Sequence, residues 1–149
     1  MNAPSLRLMY YHASQNSRDA DKLYDLVKNS DSTMPVLLGY KAMAEIMKCY
    51  HSFNPVNKLT YFYKGKSDLD NAILSAPDNI ELRYLRITVQ TNAPVFLNYR
   101  NQIPEDMQRL IQQLRVHNTD AELNSMIRKY MLNCGCCSEN EKEFFKTLR

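Results

Sequence analysis

Apolar residues recur along this chain at three- and four-residue spacing and almost never in strict two-residue alternation. That is the pattern of helices packed on one face, not of half-buried strands. Leu6, Met9, Tyr10 and Ala13 predict a first helix over 4–14. Leu23, Leu26 and Val27 predict a second over 18–28, with Ser17 as its cap. After the polar stretch NSDSTMP, a long helix is expected over 34–52, with Gly39, Ala42, Met43, Ile46, Met47 and Tyr50 on one broad face. Asn54 and Pro55 open the next, 55–75, as N-cap and first helical residue. Pro77 ends it, because the residue before a proline avoids the helical region. Asp78 and Glu81 have capping-box spacing and start a helix at once, 78–92. A longer connector, NAPVFLNYRNQIP, has room for one helical turn. Pro104, Glu105 and Asp106 then open a helix to 116, the acids lying at its positive end. Thr119 and Glu122 form a second box opening 120–133, and Ser138 and Glu141 a third opening a short last helix. The fold class is all-α, about seven or eight helices in one domain over 1–149, and the short connections predict antiparallel hairpins.

Within these elements the faces differ. On a wheel of the 78–92 helix, Ile80, Tyr84, Ile87 and Thr91 share one side and Leu82, Leu85 and Val89 nearly the opposite one. A helix apolar on two sides is sandwiched between neighbours, so its polar stripes, Arg83, Arg86 and Gln90 on one and Glu81, Thr88 and Asn92 on the other, should emerge at edges. In the 55–75 helix Leu59, Phe62, Leu69 and Ile73 form the apolar face, with Gly65, Ala72 and Ala76 as a small-residue seam beside it. Gly65 costs about 1 kcal/mol relative to alanine inside a helix, which close approach of a neighbouring helix would explain. Lys41, Glu45 and Lys48 make a charged strip on the long helix.

The stretch GKSDLDNAILSAPDNIELRYLR resembles the joint between tetratricopeptide (TPR) repeats, with Ala72, Pro77, Asp78 and Asn79 at the positions of the small residue, the proline and the repeat-opening Asp-Asn. NP at 54–55, YF at 61–62, KG at 64–65, AI at 72–73 and NIELRYLR at 79–86 are similar to stretches of short bacterial TPR-like proteins. The resemblance implies a stack of helix pairs with a concave face for a peptide or partner helix. It leads to an expected function: a non-enzymatic adaptor or scaffold that binds a protein or peptide through a helical groove.

Composition narrows the classes further. Of 149 residues, 19 are basic and 16 acidic, both signs spread along the chain, a net charge of +3 that is too small for the basic stripe of a nucleic-acid binder. No run approaches the ~20 apolar residues of a membrane helix, and MNAPSLRLMYY lacks the regions of a signal peptide. The chain therefore reads as soluble, cytoplasmic, or periplasmic if a leader has been removed. Only 3 glycines are present, and no phosphate-loop, dinucleotide, zincin or nucleophile-elbow motif appears. Asp68 and Asp70, two apart on a helix, do not face each other as a catalytic pair would. No enzyme and no cofactor are expected. The YFYKGK stretch mixes aromatic and basic residues, but helical spacing splits its aromatics between core and edge.

The expected partner site comprises Tyr40, Lys41, Asn57, Lys58, Tyr61, Arg83, Arg86, Gln90 and Tyr99. Arginine offers a forked donor and tyrosine rigid contact area, which suits a partner with acidic groups or a free C-terminus. The plainer reading pairs Arg83 and Arg86 with Glu45, Glu81 or Asp78 between helices, and lays Lys58 along apolar neighbours. The 8 methionines and 10 tyrosines also allow a sticky patch and a homodimer. The alternative function is a metal-binding or redox role for Cys134, Cys136 and Cys137 in CGCC, with Cys49, His51 or His117 as a fourth ligand. Three cysteines in four residues suit tetrahedral zinc poorly, and Gly135 reads as the end of a helix with cysteines as small packing residues.

Overall fold

The computed structural model describes residues 1–30, 33–117 and 120–149. It is all-helical, with eight α-helices and one short 3-10 turn among the described residues. The chain forms two compact units, Met1–Pro77 and Asp78–Arg149, whose boundary falls at the Pro77 joint.

The first unit holds α1 (Ala3–Gln15), α2 (Ser17–Val27), α3 (Pro35–His51) and α4 (Pro55–Ser75). Asn2 caps α1, and Asn16 caps α2 by accepting from Asp19 N at 2.8 Å, so Ser17 is the first helical residue and not the cap. Asparagine can accept this bond as serine can, and a cap one residue earlier brings Asp19 into the first turn. Asn54 caps α4 with Pro55 in first position, as the pattern requires. Contacts between α3 and α4 step in opposite directions along the two helices: Cys49 meets Lys58, Glu45 meets Lys64, and Lys41 meets Asp68. They form an antiparallel hairpin.

Gly65 lets this hairpin close. A Cβ there would stand 2.9 Å from Ile46 Cδ1 and 3.0 Å from the Ala42 carbonyl oxygen. The side chain could yield; the backbone oxygen could not without parting the helices. Gly65→Ala is therefore expected to lower stability by about 1–3 kcal/mol despite alanine's better helix propensity, as thermal denaturation would measure. A neutral or stabilising result would mean that the hairpin is looser than described. The interior face of α4 is Phe62, Gly65, Leu69, Ala72 and Ile73. Leu59, expected there, is 42% exposed; the buried face turns away from it toward Phe62.

The second unit holds α5 (Ile80–Asn92), the 3-10 turn Val95–Leu97, α6 (Ile103–Val116), α7 (Ala121–Asn133) and α8 (Glu139–Thr147). Asn79, not Asp78, caps α5, accepting from Leu82 N at 3.0 Å. Asp78 stays outside the helix and pairs with Arg109 of α6. Thr119 lies outside the described residues; the cap of α7 is Asp120, which accepts from Leu123 N. The Ser138–Glu141 capping box is present in full. Gly135 follows α7 with φ +68°, a left-handed turn that only glycine adopts readily. Residues 81–87 of α5 are all buried, as are Val89 and Gln90. This helix is enclosed nearly all round, so its polar stripe of Arg83, Arg86 and Gln90 does not emerge at an edge. Tyr130 of α7 receives the edge of Tyr84 and bonds Thr91, and the Asn124 amide donates to Arg149 O, holding the C-terminus on α7.

Candidate functional site

In the second unit, one carboxylate organises the polar stripe of α5. Asp106, fully buried in the first turn of α6, accepts at Oδ1 from Arg83 Nη1 and Arg86 Nη2, both at 2.7 Å. Its Oδ2 accepts from Arg86 Nε and Gln90 Nε2, both at 2.8 Å. Arg86 thus grips the carboxylate with its fork, and both oxygens are saturated. Gln90 passes the network on, accepting at Oε1 from Gln102 N at 3.0 Å, just before α6 begins. Glu105 adds a second acceptor for Arg83 at 3.3 Å. The arginines do pair between helices, with Asp106 and Glu105 of α6. Side chains this buried and this occupied hold α5 to α6; none has an open face for a ligand.

In the first unit, the α3 strip of Lys41, Glu45 and Lys48 points toward α2 and α4. Glu45 is fully buried. Lys64 Nζ lies 3.4 Å from its Oε1, and Lys41 Nζ lies 3.8 Å from Asp68 Oδ2. Neither Glu45 oxygen, nor Asp68 Oδ2, has a hydrogen bond of ordinary geometry among the described residues. Burial, and then the neighbouring Asp68 carboxyl, push the Glu45 pKa up to about 8 against the opposing pull of Lys64 and Lys41. Glu45 is therefore a neutral acid at neutral pH. Asp68 thus acquires a carboxyl neighbour across the hairpin, not Asp70 along its own helix. Beside this pair Lys48 lies over the rings of Tyr24 and Tyr61, 5.6 and 5.7 Å from their centroids, and is paired with Asp21. These groups hold α2, α3 and α4 together, and three elements supply them, which explains why no local motif marks them.

The nine residues expected to form a partner site divide between the units. Tyr40, Arg83, Arg86, Gln90 and Tyr99 are buried and cannot touch a partner as they stand. Tyr40 packs on the edge of Tyr10. Lys41, Lys58 and Tyr61 are half-buried, and Asn57 is exposed. Lys58 does more than lie along apolar neighbours: its Nζ donates to Cys49 O at 3.2 Å.

Large apolar side chains left in water mark a surface that spacing alone did not single out. Phe53, in the α3–α4 turn, is 99% exposed, and Val56 and Tyr63 on α4 are 70% and 54% exposed. With Leu59 they follow i, i+3 and i+7 spacing, one outward stripe of α4. Tyr50, at the end of α3, is also exposed. From Phe53 through Lys66 the chain carries Lys58, Lys64 and Lys66 and no acid; Lys58 donates to Cys49 O, Lys64 lies by Glu45 and Lys66 pairs with Asp70.

Of the three residues weighed as a fourth metal ligand, Cys49 and His51 belong to the first unit and His117 to the second. Cys49 is buried in the first unit, where desolvation raises its thiol pKa. His51 Nε2 lies 3.2 Å from Ala13 O of α1. His117 is exposed at the end of α6. In the second unit Cys134 and Cys136 form a disulfide and Cys137 is a free thiol.

No protein family, curated protein or solved structure matches the chain. No helix among the described residues is long and apolar enough to cross a membrane.

Proposed function

We propose that this chain is a non-enzymatic, TPR-like adaptor, and that its partner is an amphipathic helix bearing acidic residues beside its apolar face. The observation that carries this reading is the outward stripe of α4, Val56, Leu59 and Tyr63, with Phe53 fully in water at its head. Contiguous apolar side chains rimmed by polar groups mark protein contacts more often than they occur idly. A helix laid on another helix meets such i, i+3, i+7 anchors with its own. The local balance of three lysines and no acid over 53–66 would speed the encounter with an acidic partner, although Lys64 and Lys66 also face Glu45 and Asp70 within the unit. The arginines and Asp106 are occupied with one another and join α5 to α6.

Selection from a displayed library of amphipathic helices would test this. The expected result is enrichment of helices with acidic flanks. Binding should fall at least tenfold in Phe53→Ser/Tyr63→Ser, whose thermal stability should match the parent because both side chains are exposed. Enrichment of basic helices, or affinity unchanged by the double substitution, would overturn the reading.

A further inference from the structure

The loop between α7 and α8 gathers three sulfur ligands at one point. Cys134 is the C-cap of α7, Gly135 turns the chain with φ +68°, and Ser138 caps α8. Both helix ends are closed by their own caps, so the intervening loop is held from both sides. The Sγ atoms of Cys134, Cys136 and Cys137 all lie within 4.8 Å of one another. Metal–thiolate bonds of ~2.3 Å place the three sulfurs of a planar trigonal site about 4 Å apart, a spacing that the bonded Cys134 and Cys136 sulfurs reach only after the disulfide is broken and they part. A fourth sulfur is at hand: Met131 Sδ, one helical turn before Cys134 and fully buried, lies 3.9 Å from Cys137 Sγ. Cys136 N donates to Cys134 Sγ at 3.1 Å in the disulfide form.

We propose that Cys134, Cys136 and Cys137, with Met131 beside them, form a binding site for a soft monovalent ion, Cu(I), open only when the Cys134–Cys136 disulfide is reduced. The donor set selects the metal. Zinc prefers four tetrahedral ligands from thiolate, imidazole or carboxylate, which three cysteines in four residues do not supply. Soft thiolate and thioether ligands select Cu(I), for which a trigonal arrangement suffices. Opening the site takes one dithiol reductant: its two thiols become a disulfide as the Cys134–Cys136 bond breaks to two thiols. Binding one Cu(I) then converts three thiols to thiolates and releases three protons, with no change in oxidation state.

The test is an anaerobic titration of the dithiol-reduced full chain with Cu(I) against a chromophoric Cu(I) chelator, in parallel with Zn(II) against a zinc chelator. One Cu(I) per chain is expected, with three sulfur neighbours at ~2.3 Å by X-ray absorption and no competing uptake by the disulfide form. Cys136→Ser and Cys137→Ser should each weaken binding at least tenfold, and Cys49→Ala should leave it unchanged. Helical circular dichroism of each variant would show that the fold is intact. Failure to compete with the chelator, tighter binding of zinc than of copper, or equal uptake by Cys136→Ser would overturn the proposal. None of these outcomes touches the α4 stripe, which lies in the other unit.

Discussion

Asp106→Ala is expected to destabilise the Asp78–Arg149 unit by about 3–5 kcal/mol, the cost of stranding buried charge. Arg83 and Arg86 are only 3% and 6% exposed, and Asp106 takes both. Without it two guanidinium groups would remain inside without their shared carboxylate, with Glu105 still 3.3 Å from Arg83. Urea unfolding followed by circular dichroism, with hydrogen exchange on α5 and α6 to place the loss in this unit, gives the measurement. Asp106→Asn should fall between the parent and alanine, since an amide keeps an acceptor but loses the charge. The combination Arg83→Met/Arg86→Met/Asp106→Leu should recover part of the loss, because apolar residues of similar volume strand no buried charge, although the Gln90 amide loses its Asp106 acceptor. A loss below about 1 kcal/mol for Asp106→Ala, within the range of exposed pairs, would mean that solvent reaches the network. An alanine pair at Arg83 and Arg86 should cost stability and leave partner binding by the folded fraction intact.

The second large effect is a pH dependence centred on Glu45. Its folded pKa of about 8 lies above the ordinary value of 4.5. Between these values the native chain holds a proton that the unfolded chain has released. Stability from this group is therefore complete below about pH 4.5, declines as pH rises, and is lost above about pH 8. Asp68 on α4 opposes ionisation, while Lys64 on α4 and Lys41 on α3 favour it. At about 1.4 kcal/mol per pH unit the swing between pH 5 and pH 8 is on the order of 4 kcal/mol, the pull of the flanking lysines being already contained in the pKa. Glu45→Gln keeps the shape and removes the titration. The difference in unfolding free energy between parent and variant should move toward the variant by that amount between pH 5 and pH 8.5. Parallel curves would show that Glu45 is ionised throughout.

How far these features were legible depends on whether their causes are local. Helix existence and the Asn54, Pro77 and Ser138 punctuation follow from caps and from proline, which act over a few residues. The caps at Asn16 and Asn79 were displaced by one residue from expectation because two adjacent residues could each accept the bond. The two apolar sides of α5 correctly indicated a sandwiched helix. They did not indicate that its arginines are covered too, because the carboxylate that permits their burial stands on α6. There Asp106 reads simply as an acid favoured by a helix N-terminus. Glu45 and Asp68 meet only through the register of the α3–α4 hairpin, which Gly65 allows; nothing near either residue in sequence announces the pair. Leu59 matched the spacing of the interior face, and only the rotation of α4 about Phe62 and Leu69 assigns it to the outward stripe. The cysteine cluster was visible as a cluster; the Cys134–Cys136 disulfide and the place of Met131 beside Cys137 were not.

The claim that binding belongs to the outward stripe and not to the buried arginines can be tested most directly by amide chemical-shift mapping. The full chain would be titrated with an acidic amphipathic helix obtained by selection. Perturbations are predicted to concentrate over residues 50–66, with residues 83–90 unmoved. Perturbations centred on residues 83–90, with residues 53–63 silent, would contradict the account.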